Sequence, residues 1–256
     1  MTVSLAVGDC LAVMRDIPAD TVGAVIADPP YASGGVSIAE RIRSTPLAKY
    51  VSSDSSRQAM PDFEGDQRDQ RAYLAWCALW MGEARRVLMP GCALMVFTDW
   101  RQLPTVADAV QVAGLVWRGV AVWDKVNGRP NTGFATGKTE FIVWATKGAG
   151  RPDHVFLPGV LRVPIKPDER AHHITPKPVA LLEQLCRMAP QGSTIVDPFT
   201  GSGSALIAAH NTRRDALGVE ITRGYAEVAA RRVAAETAQY ALFHDLASTG
   251  NGYCAK

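Results

Sequence analysis

Residues 22–31 read VGAVIADPPY, an apolar run that stops at Asp28, two prolines and a tyrosine. Such a run, bounded by a proline turn, reads as a strand buried on both faces, the habit of parallel sheets covered by helices. The turn itself carries chemistry. Pro29 and Pro30 have fixed φ and no amide hydrogen, so the turn presents acceptors without pairing to itself. Asp28 and the Pro29 carbonyl can accept the two hydrogens of an exocyclic amine, and Tyr31 offers a ring to stack on the base that carries it. The competing reading of the same residues is a proline turn that ends a strand over a packed tyrosine.

An exocyclic amine on adenine or cytosine is a poor nucleophile because its lone pair is delocalised into the ring. Pairing both hydrogens pulls the nitrogen toward sp³ character and restores nucleophilicity, and alignment of the reactants saves about 7–11 kcal/mol. The atom is unreachable inside a duplex, so the base must be flipped at a cost of a few kcal/mol. Stacking on Tyr31 returns ~1–3 kcal/mol.

Residues 194–203, TIVDPFTGSG, form a second signature: a short strand, a glycine turn, then a helical stretch from Ser204 to Asn211. This arrangement offers backbone amides and a close-approach surface at the carboxyl edge of a sheet. Glu220 ends the next strand, 23 residues after Asp197, where a carboxylate can take both hydroxyls of a ribose. A nicotinamide dinucleotide and S-adenosylmethionine both fit that description. Leu206 stands where the dinucleotide fingerprint has its third glycine, and Pro198-Phe199 separates strand from glycines. The plain alternative is a tight turn packing helix on strand. Upstream, Lys177 in Thr175-Pro176-Lys177-Pro178 either meets a carboxylate or is a solvated lysine at a proline-started helix.

Around these two stretches, strands and helices alternate. Strands are expected at Val3–Val7, Val22–Ala27, Ala93–Phe97, Leu115–Trp123, Glu140–Ala145, Thr194–Val196 and Asp215–Val219. Helices are expected at Cys10–Asp16, Arg71–Leu88 (stopped by Pro90-Gly91), Pro104–Ala113, Pro178–Met188, Ser204–Asn211 and from Thr222 to about Ala238. The pattern predicts an α/β fold: a doubly wound, Rossmann-like, mostly parallel sheet with helices on both faces. Residues 1–256 are expected to form one domain. Within it, residues 32–70 read as a long inserted loop, residues 126–173 as a loop-rich region, and the tail beyond Ser248 as frayed. Trp76 and Trp80, at i and i+4 on a helix, read as core.

The chain has 256 residues, 47% hydrophobic and 20% charged, with net charge +2. That balance does not by itself specify nucleic acid, so any basic surface is local. Five scattered cysteines without a CxxC pair imply neither disulfides nor zinc and suit a reduced, cytoplasmic compartment. The opening residues lack the form of a signal peptide, and no apolar run approaches the ~20 residues of a membrane span. His172 and His173 have no partner at ligand spacing, so no metal is expected.

Taken together, Gly8-Asp9-Cys10, Asp28–Tyr31, Arg86–Gly91, Trp123-Asp124-Lys125, Thr175–Pro178 and Asp197–Gly203 resemble the amino-group DNA methyltransferases that use S-adenosylmethionine. With the proline motif before the glycine motif, the order is similar to the permuted β group, and the resemblance spans nearly the whole chain. It implies transfer of a methyl group to adenine N6 of a flipped base in duplex DNA, since Asp at the first position of the proline motif is the adenine habit. Cytosine N4 is the alternative target; a non-catalytic DNA- or cofactor-binding module is a further rival.

The resemblance also assigns residues. Asp28, Pro29, Pro30 and Tyr31 would be catalytic. Asp197, Phe199, Gly201, Gly203 and Ser204 would line the methionine and adenosine, with Asp28 beside them, and Glu220 would take the ribose. Asp9 and Cys10 would border the cofactor adenine; Thr175 and Lys177 would hold the methionine end. Family members usually carry a separate recognition domain between the segments matching Trp123–Lys125 and Thr175–Pro178. Here that interval is short, so DNA contact falls to Arg41, Arg43 and Lys49 and to Lys125, Asn127 and Arg129. A homodimer is expected, because little recognition domain leaves a small enzyme short of DNA-contacting surface and two-fold symmetry suits a palindromic site.

Overall fold

The computed structural model describes residues 1–32, 68–127, 138–151, 155–166, 177–237 and 242–245. These form nine strands and six helices. In chain order they are β1 (Val3–Val7), α1 (Cys10–Arg15), β2 (Val22–Ala27), α2 (Gln70–Val87), β3 (Leu88–Thr98), α3 (Leu103–Val112), β4 (Val116–Asp124), β5 (Thr139–Thr146) and β6 (Val160–Arg162). They continue with α4 (Val179–Cys186), β7 (Thr194–Asp197), α5 (Ser204–Asn211), β8 (Asp215–Glu220), α6 (Arg223–Thr237) and β9 (Leu242–Asp245).

All nine strands join one sheet in the order β6-β4-β5-β3-β2-β7-β8-β1-β9. β5 alone runs against its neighbours, antiparallel to both β3 and β4; every other pair is parallel. The sheet is therefore open, mostly parallel and covered on both faces. α1, α2 and α3 pack with Val25, Ala27, Leu94 and Val96 on one face. α4, α5 and α6 pack with Ala24, Ile26, Ala93 and Met95 on the other. The period-two alternation within β2 and β3 is what divides their apolar residues between the two cores.

The order of strands sets where a ligand can sit. From β2 the chain passes through α2 to β3; from β7 it passes through α5, on the opposite face, to β8. β2 and β7 are direct neighbours, with Val25 opposite Val196. The crevice between them, at their carboxyl ends, is the topological switch point where open α/β sheets bind ligands. The DPPY and DPFTGSG turns leave the sheet at this edge. So do Asp9 after β1, Asp99 after β3, Asp124 at the end of β4 and Glu220 at the end of β8.

Asp caps start α1 and α2 beside that edge. Asp9 Oδ1 accepts from Leu11 and Ala12 N–H, and Asp69 Oδ1 from Arg71 and Ala72. Each satisfies amides that the first helical turn leaves without an internal partner.

Three expectations need correction. Pro90-Gly91 does not stop α2: the helix ends at Val87, and Leu88 is already extended at φ −60°, ψ 136°. The pair instead sits inside β3, where Leu88 faces Val22 but Ala93 faces Ala24, so the extra residues bulge out with Gly91 at φ +78°. The stretch from Lys147 to His173 is not wholly irregular, because Val160–Arg162 pairs in parallel with Val122–Asp124 of β4. A ninth strand beyond the last helix, Leu242–Asp245, pairs with β1. Both missed strands are short and lie at the sheet's two edges, where few apolar residues are needed.

Candidate active site

On one side of the switch point, the glycine turn is built to bring backbone close. Gly201 has φ +51° and Gly203 φ +85°. A Cβ on Gly203 would stand 3.2 Å from the Ala229 Cβ of α6, and one on Gly218 of β8 would stand 2.4 Å from Thr200 Oγ1. The turn is braced from behind by buried Arg232, whose Nη1 donates to Ser202 Oγ at 3.2 Å and Ser204 Oγ at 2.7 Å. Glu220 braces it from the side: Oε2 accepts from Gly201 N–H at 2.8 Å, and Oε1 from Thr222 N–H at 2.9 Å. Asp197 Oδ1 accepts from Phe199 N–H at 3.0 Å. The Phe199 ring packs against Trp76 at 5.4 Å and Trp80 at 5.2 Å, which seats α2 over the turn.

The electrostatics here favour a cation. Burial pushes the Asp197 carboxyl up to about 8, opposed in part by the Phe199 amide and reinforced by Asp28 and Glu220. Burial also raises Glu220. Acidic groups crowded in low dielectric are held short of full ionisation until a positive charge joins them. S-adenosylmethionine fits this donor set. Its sulfonium and ammonium would relieve Asp197, its ribose hydroxyls could address Glu220, and the turn's missing Cβ atoms leave room for close backbone approach.

Across the crevice, β2 delivers Asp28 into a network of charges. Lys177, 7% exposed, donates from Nζ to Asp28 Oδ2 at 2.6 Å and stands 3.2 Å from Glu140 Oε2. The Tyr31 hydroxyl lies 2.7 Å from Asp28 Oδ1 and 3.1 Å from Glu140 Oε2. Lys125 Nζ holds Glu140 Oε1 at 2.5 Å and lies over the Trp123 ring at 5.2 Å. The Lys177 ammonium also faces the rings of Tyr31 at 5.5 Å and Phe97 at 5.3 Å. Burial raises the Asp28 carboxyl; Lys177 offsets this only in part, and Glu140 adds to it. Burial also pushes Glu140 up, but Lys177 and Lys125 outweigh it and hold this carboxyl below its ordinary value. For Lys177 the two carboxylates outweigh burial and raise its pKa.

Of the residues singled out from sequence, Asp28–Tyr31, Lys177, Asp197, Phe199, Gly201, Gly203 and Glu220 gather at the β2–β7 crevice. Lys177 meets a carboxylate rather than standing solvated at the helix start, and it does so on the proline-motif side. Ser204 is 7% exposed and its hydroxyl is engaged with Arg232 behind the turn. The Asp9 carboxylate caps α1. Cys10 is buried, and burial pushes its thiol up to about 12, which leaves it protonated and unsuited to nucleophilic attack. Asn127 bridges the end of β4 to the segment after β6: Nδ2 donates to the Ile165 carbonyl and Oδ1 accepts from its amide. Trp80 is fully buried core, as the i, i+4 spacing predicts; Trp76 is half-buried, with the Arg68 guanidinium over its ring at 4.2 Å. Arg41, Arg43, Lys49, Arg129, His172, His173 and Thr175 lie outside the described residues.

Glu140 was missed. Its signal was present: an acid opening the otherwise apolar stretch Phe141–Ala145, where a buried glutamate must be paired. In a parallel strand its position would fall at the far edge; only the reversal of β5 brings it into the crevice.

Known proteins resemble this chain. YubD of Escherichia coli (strain K12) is 28% identical over 229 residues, covering 89% of this chain and 88% of the relative. Type II methyltransferase M2.DpnII of Streptococcus pneumoniae is 25% identical over 239 residues, covering 85% of this chain and 84% of the relative. Among solved structures, TTHA0409 of Thermus thermophilus, complexed with S-adenosyl-L-methionine, superposes with a TM-score of 0.69 at 22% identity, over 96% of this chain and 100% of that one. That likeness extends to the fold. Residues 22–156 and 150–231 match the N6_N4 DNA methylase family, between them spanning both turns of the crevice, and the chain belongs to that family.

Proposed function

We propose that this protein is an S-adenosylmethionine-dependent DNA methyltransferase of the permuted β group, acting on adenine N6 of a base flipped out of duplex DNA. The observation that supports it best is the junction of two unlike sites at one crevice. Asp28 and Tyr31 stand at the end of β2, and the acidic, cation-seeking turn of Asp197, Gly201 and Glu220 stands at the ends of β7 and β8 beside it. When bound, the cofactor would supply an electrophilic methyl on a sulfonium: the amine lone pair would form the new C–N bond, the C–S pair would go to sulfur, and the proton shed by the alkylated nitrogen would pass to solvent.

The chain's own residues do the rest. Asp28 and the Pro29 carbonyl accept the two amine hydrogens and aim the nitrogen lone pair at the methyl. Tyr31 stacks on the base. Asp197, Phe199, Gly201, Gly203 and Ser204 form the cofactor wall, Glu220 takes the ribose, and Asp9, Cys10, Thr175 and Lys177 close its ends. No covalent enzyme intermediate is involved. Arg41, Arg43, Lys49 and Arg129 contact the duplex; Lys125 and Asn127, expected to join them, are engaged instead with Glu140 and Ile165. A cytoplasmic homodimer of single-domain chains presents two such surfaces.

Duplex DNA incubated with the protein and methyl-labelled cofactor should incorporate label, and mass spectrometry of the digested nucleosides should show N6-methyladenine. N4-methylcytosine in its place would assign the alternative target, which the family includes. Absence of label at saturating cofactor would remove the reading. Sedimentation of the purified protein tests the dimer.

A further inference from the structure

Asp28 is a weakened acceptor for a target amine while each of its oxygens already holds a donor. Oδ1 accepts from the Tyr31 hydroxyl at 2.7 Å, and Oδ2 is held by Lys177 at 2.6 Å. A carboxylate neutralised by an adjacent ammonium is a weakened acceptor, and the phenol occupies a lone pair that an incoming N–H needs. Both donors have a second acceptor within reach, and it is the same atom: Glu140 Oε2 lies 3.1 Å from Tyr31 Oη and 3.2 Å from Lys177 Nζ. The other Glu140 oxygen is fixed by Lys125 at 2.5 Å, so the carboxylate is anchored with one free face toward Asp28's partners. Tyr31 has a single hydrogen to give, so it bonds one carboxylate at a time.

Resting on the methyltransferase reading above, we infer that Glu140 is a positioning residue: the alternate acceptor that takes Tyr31 and Lys177 when Asp28 turns to the target amine. The exchange moves no net charge. It needs displacements of a few tenths of an ångström and keeps Lys177 paired throughout, so no buried charge is left alone at any point. Glu140 remains ionised through the exchange because two ammonium groups face it. In a chain lacking that acceptor, Lys177 and Tyr31 stay on Asp28, and every amine must compete with them.

The test is Glu140→Gln, which keeps the shape and removes the charge. Steady-state kinetics on duplex DNA should show kcat reduced at least ten-fold at saturating substrates, with the cofactor KM within about two-fold of wild type. The acid limb of the kcat profile should move to lower pH, because Asp28 loses its negative neighbour and keeps Lys177 to itself. The limb reports the lost negative neighbour, and the fall in kcat with cofactor KM unchanged is what a purely structural role would not give. Unchanged kcat, a loss confined to cofactor KM, or an unmoved acid limb each overturns the inference. If Glu140→Gln yields no folded protein, Glu140→Asp decides: it keeps the charge but withdraws it by one methylene, so kcat should fall while cofactor KM holds, and wild-type kcat would sink the idea. Wild-type protein that transfers no methyl at all would instead refute the reading on which this one rests.

Discussion

Asp197 is buried and Asp28 part-buried; the pKa values of both carboxyls are raised, but they face different demands. Asp28 is matched by Lys177 and needed as an acceptor. Replacing it by alanine should cut transfer by at least about 100-fold, the scale of losing a preorganised polar group at a reacting centre, while equilibrium dialysis still shows cofactor bound. Turnover near wild type would contradict the assigned role. For Asp197, raised to about 8, the sign follows from proton linkage. The folded protein holds this proton more tightly than the unfolded chain does, so the contribution to stability is full below the ordinary carboxylate range and is lost as pH rises toward 8. A cationic ligand reverses the balance by pulling the proton off. Calorimetric titration of the cofactor at pH 7, in two buffers of different ionisation heat, should reveal proton release approaching one per site. Asp197→Asn should reduce it toward zero.

The turn between β7 and α5 works as a unit because small residues let three elements approach. Gly203 starts α5 at φ +85° with its Cα against Ala229 of α6, and Gly218 of β8 underlies Thr200. Gly203→Ala combines a left-handed backbone that alanine resists with a close contact on α6. It should cost roughly 1–3 kcal/mol in urea denaturation and weaken the cofactor by spreading the turn. A variant as stable as wild type would mean that α6 gives way freely. On the opposite side, β5 is the element whose direction matters most. Its opening residues bring Glu140 to Lys125, Tyr31 and Lys177, while its apolar remainder, Ile142, Val143 and Ala145, is core.

At the scale of the whole molecule, the crevice is a boundary between two halves that wind away from each other. The crossover from β2 runs through α2 on one face of the sheet and that from β7 through α5 on the other, and the candidate ligand site lies where these two strands touch. A ligand there ties the halves together. At 100 times Kd it should stabilise the fold by about 2.7 kcal/mol, which raises Tm by roughly 5–11 °C for a chain of this size. A thermal-shift assay with S-adenosylmethionine checks this, and no shift at millimolar cofactor would exclude the site. Among the described residues no helix is long and apolar enough to cross a membrane.

Seven of the nine described strands and all six described helices were legible in the sequence because period-two and period-3.6 apolar patterns and proline turns are local. The two turns of the candidate site, Asp28–Tyr31 and Asp197–Gly203, were legible for the same reason: proline and glycine fix backbone shape within a few residues. Direction, register and non-local pairing were not. Nothing within Thr139–Thr146 says that it runs antiparallel, and the bulge at Pro90-Gly91 resembles a helix stop until Leu88 and Ala93 are paired with β2. The sequence by itself determined an α/β sheet with two reactive turns. Only the tertiary structure brought Glu140 from a reversed strand to Lys177 and Asp28, because a buried charge is placed by partners distant in the chain.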